Sequence, residues 1–481
     1  MEKVKVLFVA SEAVPFAKTG GLADVIGSLP KELQRQGLDV RVILPKYGDI
    51  PQTYKDAMET LTWFDVQLGW RKQYFGIQTL VHEGVTYYFV DNEYYFMRDG
   101  LYGFGDEAER YAYFCRGVIE ALPYLNFQAD LIHCHDWQTG MIPVLLKAHY
   151  SHLPFYAKMK TVTTIHNLKY QGVFSRHEFQ GLFGLGDEYF TGLTLELHGG
   201  ASFLKGGLLY ADRITTVSQT YAEEIQTAYF GENMDSLLRY RSDKLTGIVN
   251  GIDYESYDPM QDPHLAVNYR DSLVKKQQNK LALQERLGLP VNANVPLIAL
   301  VSRLVQQKGL DLIQHVLPEM LSMDAQWVIL GTGEERYELL FRDAAWVHSD
   351  KLSAQILFDE GLARQVYASS DLFLMPSQFE PCGIGQLIAL RYRSIPVVRE
   401  TGGLKDTVRP FNEFTGEGTG FSFANYNAHD MLHTLRRAVY VYRNDKEAWQ
   451  KLHQNVKKCD FSWKRSAQQY ISLYKETVKD Y

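Results

Sequence analysis

The chain has 481 residues, too many for a single hydrophobic core, and predicts two large α/β lobes or three ordinary domains. Hydrophobic residues make up 46% and charged residues 22%, which excludes the disordered and fibrous classes. A net charge of −7 without a long Lys/Arg run argues against nucleic acid as a partner. The four cysteines form no CxxC pair, so neither a disulfide framework nor a zinc ribbon is expected. The N-terminal run reads as a strand rather than a signal peptide, and no apolar stretch is long enough to cross a bilayer. A reducing cytoplasm is the expected compartment, with no membrane partner. Nothing in the sequence assigns an oligomeric state.

Short β-branched runs alternate with amphipathic segments in both halves, the pattern of βα units around a parallel sheet. The expected order begins with strand Val4–Ala10, helix Leu22–Gln36 and strand Val40–Leu44. Strands follow at Leu131–His133, Thr161–Ile165 and Ile214–Val217, the last leading into a helix from Gln219. The scheme restarts with strand Pro296–Ser302, helix Gly309–Met320 and strand Trp327–Leu330. Strands at Ile356–Phe358, Leu372–Met375 and Ile395–Val398 complete it. The turn signal Asn250-Gly251 in Val249–Asp253 marks the break between halves. Thr19-Gly20-Gly21-Leu22 is echoed by Thr401-Gly402-Gly403-Leu404, and shared function and chance similarity of two glycine turns are equally open. Two doubly wound lobes carry ligands at the carboxyl ends of their strands, so a cleft between lobes is the expected site.

Three clusters follow strands and suit anions or sugars. Lys18-Thr19-Gly20-Gly21 opens a helix, where glycines let backbone N–H groups approach an anion and Lys18 adds a full charge. Arg303 and Lys308, in Ser302–Gly309, suit a diphosphate, one by planar hydrogen bonds and the other as a point charge. Phe379–Gln386 contains Glu380-Pro381-Cys382-Gly383-Ile384-Gly385, whose Pro and two Gly at a helix start expose amides to a leaving diphosphate. A carboxylate would repel that group, so Glu380 is expected to hold sugar hydroxyls or a developing positive charge. His133-Cys134-His135-Asp136-Trp137 resembles a metal cluster, but alternation along a strand separates Cys134 from both histidines. Asp136 and Trp137 better suit an acceptor sugar, one by hydrogen bonding and the other by stacking. His166, in His166-Asn167-Leu168, also sits at a strand end. No Asp-x-Asp occurs, so protein cations are expected to replace a metal, and no cofactor is called for. The absence of GxGxxG argues against a nicotinamide oxidoreductase.

Taken in order, KTGGLADV, HDW, HNLxYQG, SFLKGG, VNGID, SRLxxQKG and EPCG resemble the bacterial glycogen and plant starch synthases over nearly the whole chain. The resemblance implies two facing Rossmann-like lobes in the GT-B arrangement. The first is expected over 1–248 and the second over 249–459, with a helix over 460–481 crossing back. It implies an ADP-glucose donor, the non-reducing end of an α-1,4-glucan as acceptor, and retention without a required metal. Lys18, Gly20 and Gly21 would face the donor phosphates, and Arg303 and Lys308 the departing diphosphate. His166, Glu380, Cys382 and Gly383 would line the glucose, with Ile384 and Gly385 near phosphate. Asp24, Asp136, Trp137 and Asn250 would surround the donor sugar or acceptor, and Tyr102 would be an acceptor platform. Phe358 would stack on adenine, with Thr332 and Gly333 in the nucleotide loop. Relatives often carry Leu-Thr or Leu-Ser where this chain has Ile384-Gly385, so a hydroxyl contact to phosphate is lost. The SFLKGG segment has no assigned role. The rival readings are a two-lobe transferase with another acceptor and a glucan-binding protein without catalysis.

Overall fold

A computed structural model describes residues 3–479. One compact unit runs to Gly251 and resumes at Trp463, and the other spans Ile252–Ser462. Among the described residues, no helix is long and apolar enough to cross a membrane.

The first unit is built on strands β1 (Lys5–Val9), β2 (Asp39–Pro45), β3 (Glu59–Leu68), β4 (Arg71–His82), β5 (Val85–Asp91), β6 (Leu131–His135) and β7 (Lys160–Ile165). A small antiparallel sheet of β8 (Val173–Ser175), β9 (Glu196–Leu197) and β10 (Gly200–Ser202) follows, before β11 (Arg213–Thr216) and β12 (Leu245–Gly247) return to the main sheet. The nine-stranded order is β12-β11-β7-β6-β1-β2-β5-β4-β3. Its centre is parallel and buried on both faces, which is why β1 reads KVLFV without polar alternation. β3 and β4 pair antiparallel at one edge, and β3 alternates exposed and buried residues because one of its faces meets water. Helix Gly21–Arg35 buries Leu22, Val25, Ile26, Leu29 and Leu33 at helical spacing. The C-terminal helix Trp463–Lys479 adds Trp463, Ala467, Tyr470, Ile471 and Tyr474 to the same core. Its Ser466 hydroxyl also donates to the Val249 carbonyl at 2.6 Å, fixing the loop that carries Asn250.

The second unit has strands β13 (Leu297–Val301), β14 (Gln326–Leu330), β15 (Leu352–Gln355), β16 (Leu372–Met375), β17 (Ile395–Arg399) and β18 (Phe421–Phe423). They form one parallel sheet in the order β15-β14-β13-β16-β17-β18. The strand expected at Ile356–Phe358 is instead Leu352–Gln355. β15 is an edge strand, so its polar LSAQ sequence is tolerated, while the apolar run after it forms a loop on which Phe358 is 86% exposed. Lys276 is fully enclosed in this unit and donates to the carbonyls of Tyr367, Ala368 and Tyr392, closing two helix ends.

Candidate active site

The parallel part of each sheet has a point where the strand order switches direction, between β1 and β6 in the first unit and between β13 and β16 in the second. In open parallel sheets, ligands bind beside such reversals at the carboxyl ends of the strands. Most of the sequence-predicted residues lie on loops that follow strands, with Gly21, Asp24 and Gly385 in the helices that such loops open.

Beyond β1 the chain reaches Glu12, only 4% exposed, which no sequence signal marks. Its Oε1 accepts from the Thr19 and Tyr102 hydroxyls, both at 2.7 Å. Its Oε2 accepts from the Thr19 N–H at 2.5 Å and the Gly20 N–H at 3.2 Å. A carboxylate taken out of water needs donors, and the glycine loop supplies them. The expectation that the Gly20 amide faces donor phosphate is therefore corrected: that N–H is engaged from below, and the loop is shaped around Glu12. Gly21 begins the helix, and the Lys18 ammonium lies 2.7 Å from Asp24. Tyr102 shares a second hydrogen bond with Ser11 at 2.8 Å. The adjoining Leu101 carbonyl accepts from fully buried Arg110 at 3.1 and 3.2 Å, so the loop presenting Tyr102 is anchored on both sides.

At the end of β6, Asp136 adopts φ 56° and ψ −169°, a region that non-glycine residues occupy at a cost of about 1–3 kcal/mol. Its Oδ1 accepts the His166 N–H at 2.7 Å, joining the loops after β6 and β7. Burial pushes its carboxyl up to about 7, against the hydrogen bonds from the His166 and Asn167 backbones. His133 has both ring nitrogens engaged, with Tyr474 at 2.7 Å and Thr164 at 2.5 Å. His135 Nδ1 meets His166 Nε2 at 2.9 Å. Burial lowers the pKa of all three histidines, that of His166 to about 3, so the rings are neutral near pH 7. Asn250, 5% exposed beyond β12, has no partner for its Oδ1 among the described residues.

Trp137 requires a second correction. It is 7% exposed and packs against Tyr111 and Phe174, with ring centroids at 5.0 and 5.6 Å. Gly172, at φ +55°, passes so close that a Cβ would lie 2.4 Å from the indole. The ring is a core wedge and offers no open face for a sugar. The SFLKGG segment is also structural. Ser202 caps its helix through Lys205 N–H, and Lys205 Nζ donates to the carbonyls of Gly192 and Glu196 at 2.7 and 2.6 Å. Its Gly207 lies against Gly140, where a Cβ would sit 3.0 Å from the neighbouring backbone.

In the second unit the loops after β13 and β16 meet. Lys308 Nζ contacts Glu380 Oε1 and Oε2 at 3.0 and 2.7 Å, and Ser377 donates to Oε2 at 2.9 Å. The pair is nearly enclosed, with side chains 16% and 8% exposed. Glycines make the fit possible: a Cβ on Gly309 would lie 2.0 Å from the Pro376 carbonyl, and one on Gly402 1.9 Å from that of Glu380. Gly403 donates to the Glu380 carbonyl at 3.2 Å, so the Thr401-Gly402-Gly403 echo supports Glu380. Sequence repetition was the one signal for it. Gly383 takes φ +74° and Gly385 opens the next helix, with Cys382 buried behind them. Arg303 is exposed and makes no ion pair among the described residues. The loop after β14 joins that after β13 through Leu304 N–H to the Thr332 carbonyl at 2.8 Å. The Gly333 N–H is held by Glu338 at 2.9 Å. Phe358 stands apart on the loop after β15.

The starch synthase catalytic domain family matches residues 5–240, and glycosyl transferases group 1 matches residues 284–458. A glycogen synthase of Desulforamulus reducens is 56% identical over 476 residues, covering 99% of each chain. The chain belongs to the glycogen synthase family. A glycogen synthase of Anoxybacillus flavithermus is 55% identical over 99% of this chain and 98% of its own. The catalytic domain of starch synthase IV from Arabidopsis thaliana, solved bound to ADP and acarbose, is 35% identical with a TM-score of 0.92. That match covers 99% of this chain and 100% of the plant domain. The two units are GT-B glycosyltransferase domains, and the enzyme's reaction is glucosyl transfer in glycogen synthesis.

Proposed function

We propose that the enzyme transfers glucose from ADP-glucose to the non-reducing end of an α-1,4-glucan, with retention and without a metal. The observation that carries this reading is the enclosed Lys308–Glu380 pair at the strand reversal, beside the Cys382–Gly385 turn. Starch synthase IV, similar along its whole length and solved with ADP and acarbose, supports an adenine nucleotide and a glucan-like acceptor. Arg303 and Lys308 stabilise the departing diphosphate, with Ile384 and Gly385 near its oxygens. Thr332, Gly333 and Phe358 hold the nucleotide, Phe358 by stacking on adenine. In the second unit Glu380, Cys382 and Gly383 line the glucose; in the first, His166, Asp24 and Asn250 are assigned to sugar binding. Lys18 and Gly21 serve the phosphates, and Tyr102 and Asp136 serve the acceptor.

In the reaction the bond from glucose C1 to the phosphate oxygen breaks and one from C1 to the acceptor O4 forms. The 4-hydroxyl proton passes to the departing diphosphate on the same face, which retains configuration. Glu380, already tied to Lys308, stabilises the oxocarbenium-like sugar rather than attacking it. The thiols of Cys115, Cys134 and Cys459, which form no disulfide, support a reducing compartment such as the cytoplasm. The reading is tested by competing ADP-glucose against UDP-glucose with a maltooligosaccharide acceptor. Preferential elongation from ADP-glucose is expected, and preference for UDP-glucose or transfer only to fructose or glucose 6-phosphate would refute it.

A further inference from the structure

His135 lies directly behind His166, and its hydrogen bonding is asymmetric. Its Nδ1 is 2.9 Å from His166 Nε2, while its Nε2 is buried without a partner among the described residues. The ring is held between Phe8, at a centroid distance of 5.3 Å, and His133, at 4.1 Å. It is fully buried, and burial keeps it neutral, so it carries one proton. Two arrangements satisfy the contact. If His135 accepted at Nδ1, its proton would sit on Nε2 and be left as an orphaned buried donor. If His135 donates at Nδ1, Nε2 is a bare lone pair, and buried donors without partners are the rarer defect in folded proteins.

We propose that His135 is a positioning residue that donates Nδ1–H to His166 Nε2 and thereby fixes His166 as the Nδ1–H tautomer. The half-buried His166 ring makes no other hydrogen bond among the described residues, so it presents a donor N–H at its free edge. His133 does not compete for this role, because Tyr474 and Thr164 engage both its nitrogens. Asp136 fixes the His166 backbone while His135 fixes the ring, so ring and main chain are set by consecutive residues at the end of β6. The consequence for turnover rests on the proposed contact of His166 with donor glucose, whose hydroxyl oxygens would accept from that N–H.

The test is 15N NMR of the histidine-labelled full-length protein at pH 7, with the His166 signals identified by their loss in His166→Gln. A protonated Nδ1 and an unprotonated Nε2 are expected, and the reverse pattern overturns the proposal. In His135→Leu the half-exposed ring can turn towards water, so averaged nitrogen signals and at least a tenfold fall in kcat are expected, with the KM for maltooligosaccharide unchanged. In His135→Asn the amide N–H can replace the imidazole donor and should restore most of kcat. Full turnover in His135→Leu, or equal losses in the two variants, would overturn the positioning role. Near-normal turnover in His166→Ala would instead remove His166 from the donor site and leave the tautomer result standing.

Discussion

Lys308→Met breaks the pair at the centre of the second unit's candidate site. Removing one partner of a buried ion pair costs about 3–5 kcal/mol, mostly because the remaining charge is left enclosed. The lower end applies here, because Lys308 keeps 16% exposure and the Ser377 hydroxyl still donates to Glu380. A loss of about 3 kcal/mol corresponds to roughly 6–12 °C in Tm for a unit of this size. Lys308→Met/Glu380→Gln replaces both charges with neutral groups of similar shape, and Gln can still accept from Ser377. It should regain most of the lost stability while turnover stays at least about 100-fold down, the scale of a lost transition-state charge contact. Scanning calorimetry reads the first quantity, and incorporation of labelled glucose into maltooligosaccharide reads the second. A Tm within about 2 °C of wild type for Lys308→Met, or a double variant no more stable than the single one, would refute the reasoning.

Glu12→Ala leaves four donors without their acceptor and should cost about 2–3 kcal/mol of stability and at least tenfold in kcat/KM. Glu12→Gln should recover much of this, since its oxygen can face the two amides while the hydroxyls accept from its NH2, as thermal melts and steady-state kinetics would show. Phe358→Ala should leave Tm unchanged, the ring being 86% exposed, yet raise the donor KM by roughly 5- to 100-fold if it stacks on adenine. Asp136 has a folded pKa of about 7, above its unfolded value, so it binds more protons folded than unfolded between about pH 4 and 7. Its contribution is therefore full at low pH and lost as pH rises through 7. Relative to Asp136→Asn, wild type should lose stability from pH 5 to 7.5 with a slope below about 1.4 kcal/mol per pH unit, since the carboxylate is only half-buried. Calorimetry across that range checks it.

The fold was largely legible because parallel strands buried on both faces leave a local signature. Val4–Ala10 and Leu372–Met375 could be read without knowing their neighbours. The edge strand Leu352–Gln355 could not, because one exposed side frees it from that pattern. Cations and glycines after strands marked Lys18, Arg303, Lys308 and Glu380, since residue type and a strand-to-helix turn already specify anion chemistry. Partnership was not local. That Lys308 meets Glu380, 72 residues away, follows from β13 and β16 being adjacent in the sheet. That Glu12 accepts from Tyr102, 90 residues away, and that Trp137 is enclosed by Tyr111, Phe174 and Gly172, depends on segments distant in sequence that the first unit's fold brings together. Sequence determines which chemical groups stand at strand ends. Only the tertiary structure decides which of them desolvate one another, because burial and hydrogen-bond partners are properties of the neighbours that packing supplies.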